Sequence, residues 1–183
     1  PHICRDTRVK QELHAAADKE RFGAALNYGA DAIYLGRKQF GMRSSPGNFD
    51  FEQLVKAVSA AHERGVKVYL TCNTLPRNNE IPMFEKFLEE AVESGVDALI
   101  VADVGLLMMI KRLAPDIEIH ISTQTGIVNY ATAREFYNMG AKRVVLAREL
   151  SLEEIAEIRA KTDPDLDIEV FVHGAMCVSF SGR

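Results

Sequence analysis

One unit recurs along this chain: an amphipathic helical stretch stops at a glycine and a short apolar strand follows, at spacings of roughly 20 to 35 residues and with no hairpin turn signal between units. Strands joined through crossover helices run parallel, because each crossover returns the chain to the same end of the sheet before the next strand starts. The pattern predicts helices over 19–28, 51–64, 80–94, 105–113 and 131–139, four of them stopping at Gly29, Gly65, Gly95 and Gly140. Ser151 opens a further helix, with Glu154 three residues on completing a capping box. Strands are predicted at 32–35, 66–73, 98–102, 117–122, 143–147 and 168–172, with a weaker candidate at 12–16.

About seven parallel strands approach the eight of a TIM-type (β/α) barrel, and an open doubly wound sheet is the competing arrangement. Alternation within the strands separates the two. In 117–124 the isoleucines 117, 119 and 121 share one parity, while Glu118, His120, Ser122 and Gln124 share the other. In 67–73, Lys67, Tyr69, Thr71 and Asn73 oppose Val68, Leu70 and Cys72, and Glu169, Phe171 and His173 likewise oppose Ile168, Val170 and Val172. A strand buried under helices on both faces reads as continuously apolar, so these read as strands with one face towards helices and one towards a lumen. The expected fold is an α/β, TIM-type barrel, incomplete within this sequence, with a partly polar and solvated lumen opening at Asn73, Asp103, Gln124, Glu149 and His173. Glu118, His120 and Tyr69 read equally well as a satisfied hydrogen-bonding layer. Asp103 also reads as the cap of the helix that follows it.

Ligands and catalytic groups of barrels gather where strands end. Beyond the 168–172 strand, Gly174 and Ala175 permit a sharp turn, which brings His173 and Cys177 to that end. For Cys177 the residues leave three readings: a packed structural thiol, a thiolate activated by His173, or a ligand for a soft metal or iron-sulfur cluster. Cys72 lies on the apolar parity and reads as packed. Arg148, beside the lumen mouth, suits a carboxylate or phosphate.

The C-terminal stretch Glu169-x-Phe171-x-x-Gly174-Ala175-Met176-Cys177-x-x-x-x-Gly182 resembles the signature of the collagenase-like peptidase family U-32. Residues 28–36, Met42-Arg43 with Asn48-Phe49, and residues 97–103, 120–124 and 145–151 resemble segments of the same family. The chain departs from the family pattern at 12–18, which lacks the usual proline and glycine. The resemblance is nearest to the branch associated with transfer-RNA hydroxylation. It implies a barrel followed by a cysteine-rich region, oxygen-independent hydroxylation of tRNA uridine with prephenate as hydroxyl source, and a [4Fe-4S] cluster for which Cys177 is the first ligand. On this basis His173, Glu149 and Gln124 are the candidate catalytic residues. Asn73, Ser122, Arg148 and Arg43 are the candidate substrate-binding residues, and Cys177 is the candidate metal ligand. Residues 1–11 read as an arm or non-native segment, and 12–183 as a partial barrel domain cut inside the family's cysteine motif. A fragment of this kind is expected to be inactive and to offer an open strand edge for self-association.

Composition narrows the alternatives. An apolar fraction of 47% and a charged fraction of 26% are those of an ordinary globular protein, and the net charge of -4 argues against a wholly basic nucleic-acid-binding surface. Three scattered cysteines, Cys4, Cys72 and Cys177, form no disulfide framework. With no signal peptide or membrane span, a cytoplasmic location without membrane partners is expected. The expected partners are tRNA and a small carboxylate. Two other functions compete: a collagenase-like peptidase, against which stands the absence of a metalloprotease helix motif or a serine-nucleophile motif, and a noncatalytic barrel that recruits a partner.

Overall fold

The computed structural model describes the backbone of residues 12–13 and the whole of residues 18–41 and 48–172. Seven strands, β1 (Glu12–Leu13), β2 (Ala32–Gly36), β3 (Lys67–Cys72), β4 (Ala98–Val101), β5 (Glu118–Ile121), β6 (Arg143–Val145) and β7 (Asp167–Glu169), alternate with six helices. The helices are α1 (Lys19–Asn27), α2 (Phe51–His62), α3 (Ile81–Glu93), α4 (Val104–Leu113), α5 (Tyr130–Asn138) and α6 (Leu152–Lys161). All strand pairs are parallel and the sheet order is β1-β2-β3-β4-β5-β6-β7. A doubly wound sheet reverses its order at a switch point, and this sheet does not.

The sheet also curls. Tyr34 on β2 donates its phenolic hydrogen bond to Glu169 on β7. In a flat sheet those strands would lie about 24 Å apart, five strand spacings. Contact between them therefore requires the arc of a barrel, with side chains of distant strands meeting in its lumen.

Two apolar clusters follow from the strand parity. The larger joins Ile33, Leu35, Val68, Leu70, Leu99, Val101, Ile119, Ile121 and Val144 to the buried faces of the helices. Here Phe40 packs on Phe84 and Phe87, at ring distances of 5.3 and 5.1 Å. The smaller cluster, Ala32, Tyr34, Tyr69, Ala98 and Ile100, lies on the luminal face. Small residues there leave room for the tyrosine rings.

Helix ends follow local chemistry. Ser151 and Glu154 close the capping box that opens α6, and α3 stops where Gly95 adopts φ +78°, a left-handed conformation that costs glycine little. At the end of α5, Gly140 has φ +104°, and a Cβ there would meet Lys111 Nζ at 2.6 Å.

The last two strands are shorter than their sequence suggests. The Leu146 N–H still donates to the Glu169 carbonyl at 2.9 Å, but the chain then turns to the exit of β5: Thr123 Oγ1 donates to the Leu146 carbonyl at 3.1 Å and Ala147 N–H to the Ile127 carbonyl at 2.9 Å. The β6–β7 register then ends at Val145 opposite Glu169, so Val170 and Val172 stand outside the ladder and are exposed.

Candidate active site at the barrel mouth

The floor of the lumen is a packed polar layer. Arg143, buried at the start of β6, lies 3.2 Å from Glu169 and 3.3 Å from Asp167, and its guanidinium carbon sits 5.3 Å from the centre of the Tyr69 ring. Tyr69 in turn meets the His120 imidazole edge to face at 4.6 Å and the Tyr34 ring at 5.6 Å. Tyr69 and His120 are fully enclosed, so at this depth the lumen is filled by rings and a guanidinium, where the sequence suggested a solvated interior.

Glu118, half-exposed below His120, accepts from its Nε2 at 3.4 Å. That hydrogen bond holds the Glu118 carboxyl below the usual range, helped by the charges of Lys67 and Arg143 and opposed by partial burial. A depressed carboxyl stabilises the fold above its unfolded pKa of about 4.3, and that stability is lost as pH falls through the lower folded value. Glu118→Gln is therefore expected to lower the urea midpoint at neutral pH. The midpoints of the two proteins should converge below about pH 4, where the carboxyl protonates in the unfolded chain and then in the folded one. A midpoint gap that is the same at both pH values would show that the carboxylate charge is not the cause.

Above this floor, the strand exits form the mouth. Asn73, just past β3, donates from Nδ2 to Ser122 Oγ at 3.4 Å, across the intervening β4. Ser122 also accepts from Gln124 N–H at 3.3 Å and so caps a single 3-10 turn, Thr123–Thr125, that the sequence did not suggest. Thr123 and Thr125 tie this turn to the Leu146 and Ala102 carbonyls. On the other side of the mouth the Arg148 guanidinium stacks over Phe171, its central carbon 4.1 Å from the ring centre. Glu149 follows it, exposed, before α6.

The structure thus brings together Asn73, Ser122 and Gln124, and places Arg148 and Glu149 on the β6 exit. His173, Cys177 and Arg43 lie outside the described residues. Asp103 is the N-cap of α4: its Oδ1 accepts from Leu106 N–H at 2.9 Å. Asp103→Ala is expected to cost about 1 kcal/mol of stability, and Asp103→Asn much less, measured by denaturant unfolding. Cys72 is buried among the helix-facing residues, and desolvation pushes its thiol far up, so it is held protonated.

Two luminal residues were missed in the sequence. Arg143 begins the inward parity of β6 and is its only charged member. Tyr34 is the one hydroxyl-bearing residue of β2, flanked by Ile33 and Leu35, and its phenol marks the inward parity.

This arrangement defines a TIM-type (β/α) barrel protein with a filled lumen and its polar groups at the C-terminal strand ends, where barrels carry their sites. Residues 17–183 match peptidase family U32, and the chain belongs to that family. It is 45% identical over 171 residues to tRNA hydroxylation protein P of Escherichia coli (strain K12), covering 93% of this chain and 38% of that protein. It is 37% identical to the 23S rRNA 5-hydroxycytidine C2501 synthase of the same organism, covering 93% of this chain and 25% of the relative. Among solved structures, the U32 peptidase Mk0906 superposes with a TM-score of 0.73 at 17% identity, covering 93% of this chain and 71% of that one. The chain therefore spans well under half the length of either curated relative. Among the described residues no helix is long and apolar enough to cross a membrane.

Proposed function

We propose that the protein carrying this chain takes part in hydroxylating a base of RNA, a tRNA uridine in the first instance. The observation that carries this reading is the mouth itself, where Asn73, Ser122 and Gln124 gather at the β3 and β5 exits and Arg148 stands at the β6 exit, in a chain 45% identical to a tRNA hydroxylation protein. Amide and hydroxyl groups of this kind suit the edge of a pyrimidine, which offers both donors and acceptors. A stacked guanidinium suits a small carboxylate such as prephenate, the proposed hydroxyl source. His173, Glu149 and Gln124 are proposed to handle protons and orientation, and Arg43 to assist substrate binding.

Among the described residues no three His, Cys, Asp or Glu side chains converge as a metal site. In this reading Cys177 supplies one thiolate of a [4Fe-4S] cluster, whose bound form would provide one-electron chemistry. Cys72, enclosed under the helices and held protonated, is unsuited to join it and equally unsuited to act as a peptidase nucleophile.

The test is genetic and analytical. The complete gene that contains this chain is placed in Escherichia coli lacking tRNA hydroxylation protein P, and the tRNA nucleosides are weighed. A uridine heavier by one oxygen atom is expected. No such nucleoside, together with peptide cleavage by the purified protein, overturns the reading in favour of a peptidase.

A further inference from the structure

At the N-terminal ends of the strands, a groove between α3 and the α4–β5 connection is rimmed by Glu85, Glu89, Glu93 and Asp116, with no Lys or Arg among its lining residues. Phosphates are repelled there. At the opposite end the loop leaving β3 is held at both its ends. Thr74 donates from N–H and Oγ1 to the Phe40 carbonyl at 3.3 and 3.2 Å. Arg77 N–H donates to Glu80 Oε2 at 2.7 Å, and Glu80 N–H returns a bond to the Arg77 carbonyl at 2.8 Å. Phe40 itself has φ 59°, an uncommon conformation for an aromatic residue, and its ring is locked against Phe84 and Phe87.

Among the described residues the side chains that this loop displays pack against nothing in the core. Leu75 is 73% exposed, next to Pro76. The cationic groups of Arg77 on this loop and of Lys38 on the neighbouring β2 exit form no ion pair with any described residue.

We propose that this loop grips the RNA: Leu75 inserts as an apolar wedge where a base leaves its stack, and Arg77 and Lys38 hold the flanking phosphates. The inference rests on the RNA reading above. An atom on a stacked base cannot reach polar groups recessed in a barrel mouth, so the nucleotide must be extruded, at a cost of a few kcal/mol for lost stacking. An apolar side chain filling the gap offsets part of that cost, and phosphate contacts supply sequence-independent affinity. A loop already held at both ends loses little conformational entropy on binding. The acidic groove at the other end disfavours a phosphate backbone lying along it.

The experiment uses the complete gene product that carries this chain and a fluorescein-labelled RNA hairpin with a uridine-containing loop. A second hairpin carries 2-aminopurine in the loop, which brightens when it unstacks. Lys38→Glu/Arg77→Glu is expected to weaken binding by about tenfold or more and to flatten the dependence of affinity on salt, as lost phosphate contacts require. Leu75→Ser is expected to change affinity by less than about threefold while abolishing the 2-aminopurine signal. Glu89→Gln, in the acidic groove, should alter neither. RNA binding by the complete wild-type protein that is unchanged in the charge-reversed variant overturns this inference and leaves the RNA reading standing. So does a 2-aminopurine signal that survives Leu75→Ser. No saturable RNA binding by the complete wild-type protein overturns both.

Discussion

Arg143→Leu is expected to lower the unfolding free energy by about 3–5 kcal/mol, the usual cost of leaving one partner of a buried ion pair without its counter-charge. Three interactions are lost together, and their magnitudes differ. The pair with Asp167 is half-exposed and worth at most about 1 kcal/mol. The contact with the Tyr69 ring, at 5.3 Å, adds about 1–2 kcal/mol because it is desolvated. The dominant loss is at Glu169, whose side chain is only 16% exposed and whose charge Arg143 balances from 3.2 Å. Urea unfolding of Arg143→Leu, Glu169→Gln and the double variant separates these contributions. If loss of the counter-charge at Glu169 dominates, the double variant should regain at least half of what Arg143→Leu loses. A double variant no more stable than Arg143→Leu would assign the loss to packing in the lumen.

That cluster also shows where sequence reasoning reaches its limit. Parity within each strand identifies which residues face inward, and Glu118, His120, Tyr69 and Glu169 share that parity and meet through Arg143 and one another. Their partners across the lumen depend on curl and stagger, which no single strand encodes. The Tyr34–Glu169 contact joins residues 135 apart in sequence, on strands that only curvature brings together. The register explains the rest: His120 stands opposite Arg143, and Arg143 opposite Asp167, so one layer of the barrel carries three titratable groups on adjacent strands. Helix positions were more legible because their signals are local, as with the Ser151–Glu154 box and the positive-φ glycine after α3. The 3-10 turn at Thr123–Thr125 was not legible, since Ser122 caps it only through a bond two residues long. The mouth was read in part. Asn73 and Ser122 were both placed at strand exits, but their contact across β4 follows from the barrel's stagger.

Arg148→Ala is expected to reduce tRNA hydroxylation by the complete gene product roughly 30- to 150-fold, the effect of losing a charge-assisted, bidentate carboxylate contact of about 2–3 kcal/mol. The stack on Phe171 is itself a partly exposed cation-π contact that contributes about 0.5–1 kcal/mol to folding. Activity and stability should therefore separate, which they would not for a residue that merely holds the mouth together. Stacking matters for the chemistry in another way: a guanidinium held face-on to a ring keeps its N–H donors in one plane, the geometry a carboxylate meets with both oxygens. Arg148→Lys keeps the charge and loses the fork, so it should recover only part of the activity. Phe171→Leu keeps the fork and loses the platform, and a loss of several-fold is expected. If the guanidinium binds the co-substrate equally in the ground and transition states, varying prephenate should show the Arg148→Ala defect in KM with kcat retained. A defect confined to kcat would place Arg148 in the reacting geometry instead. Full activity in Arg148→Ala would remove this residue from the substrate site altogether.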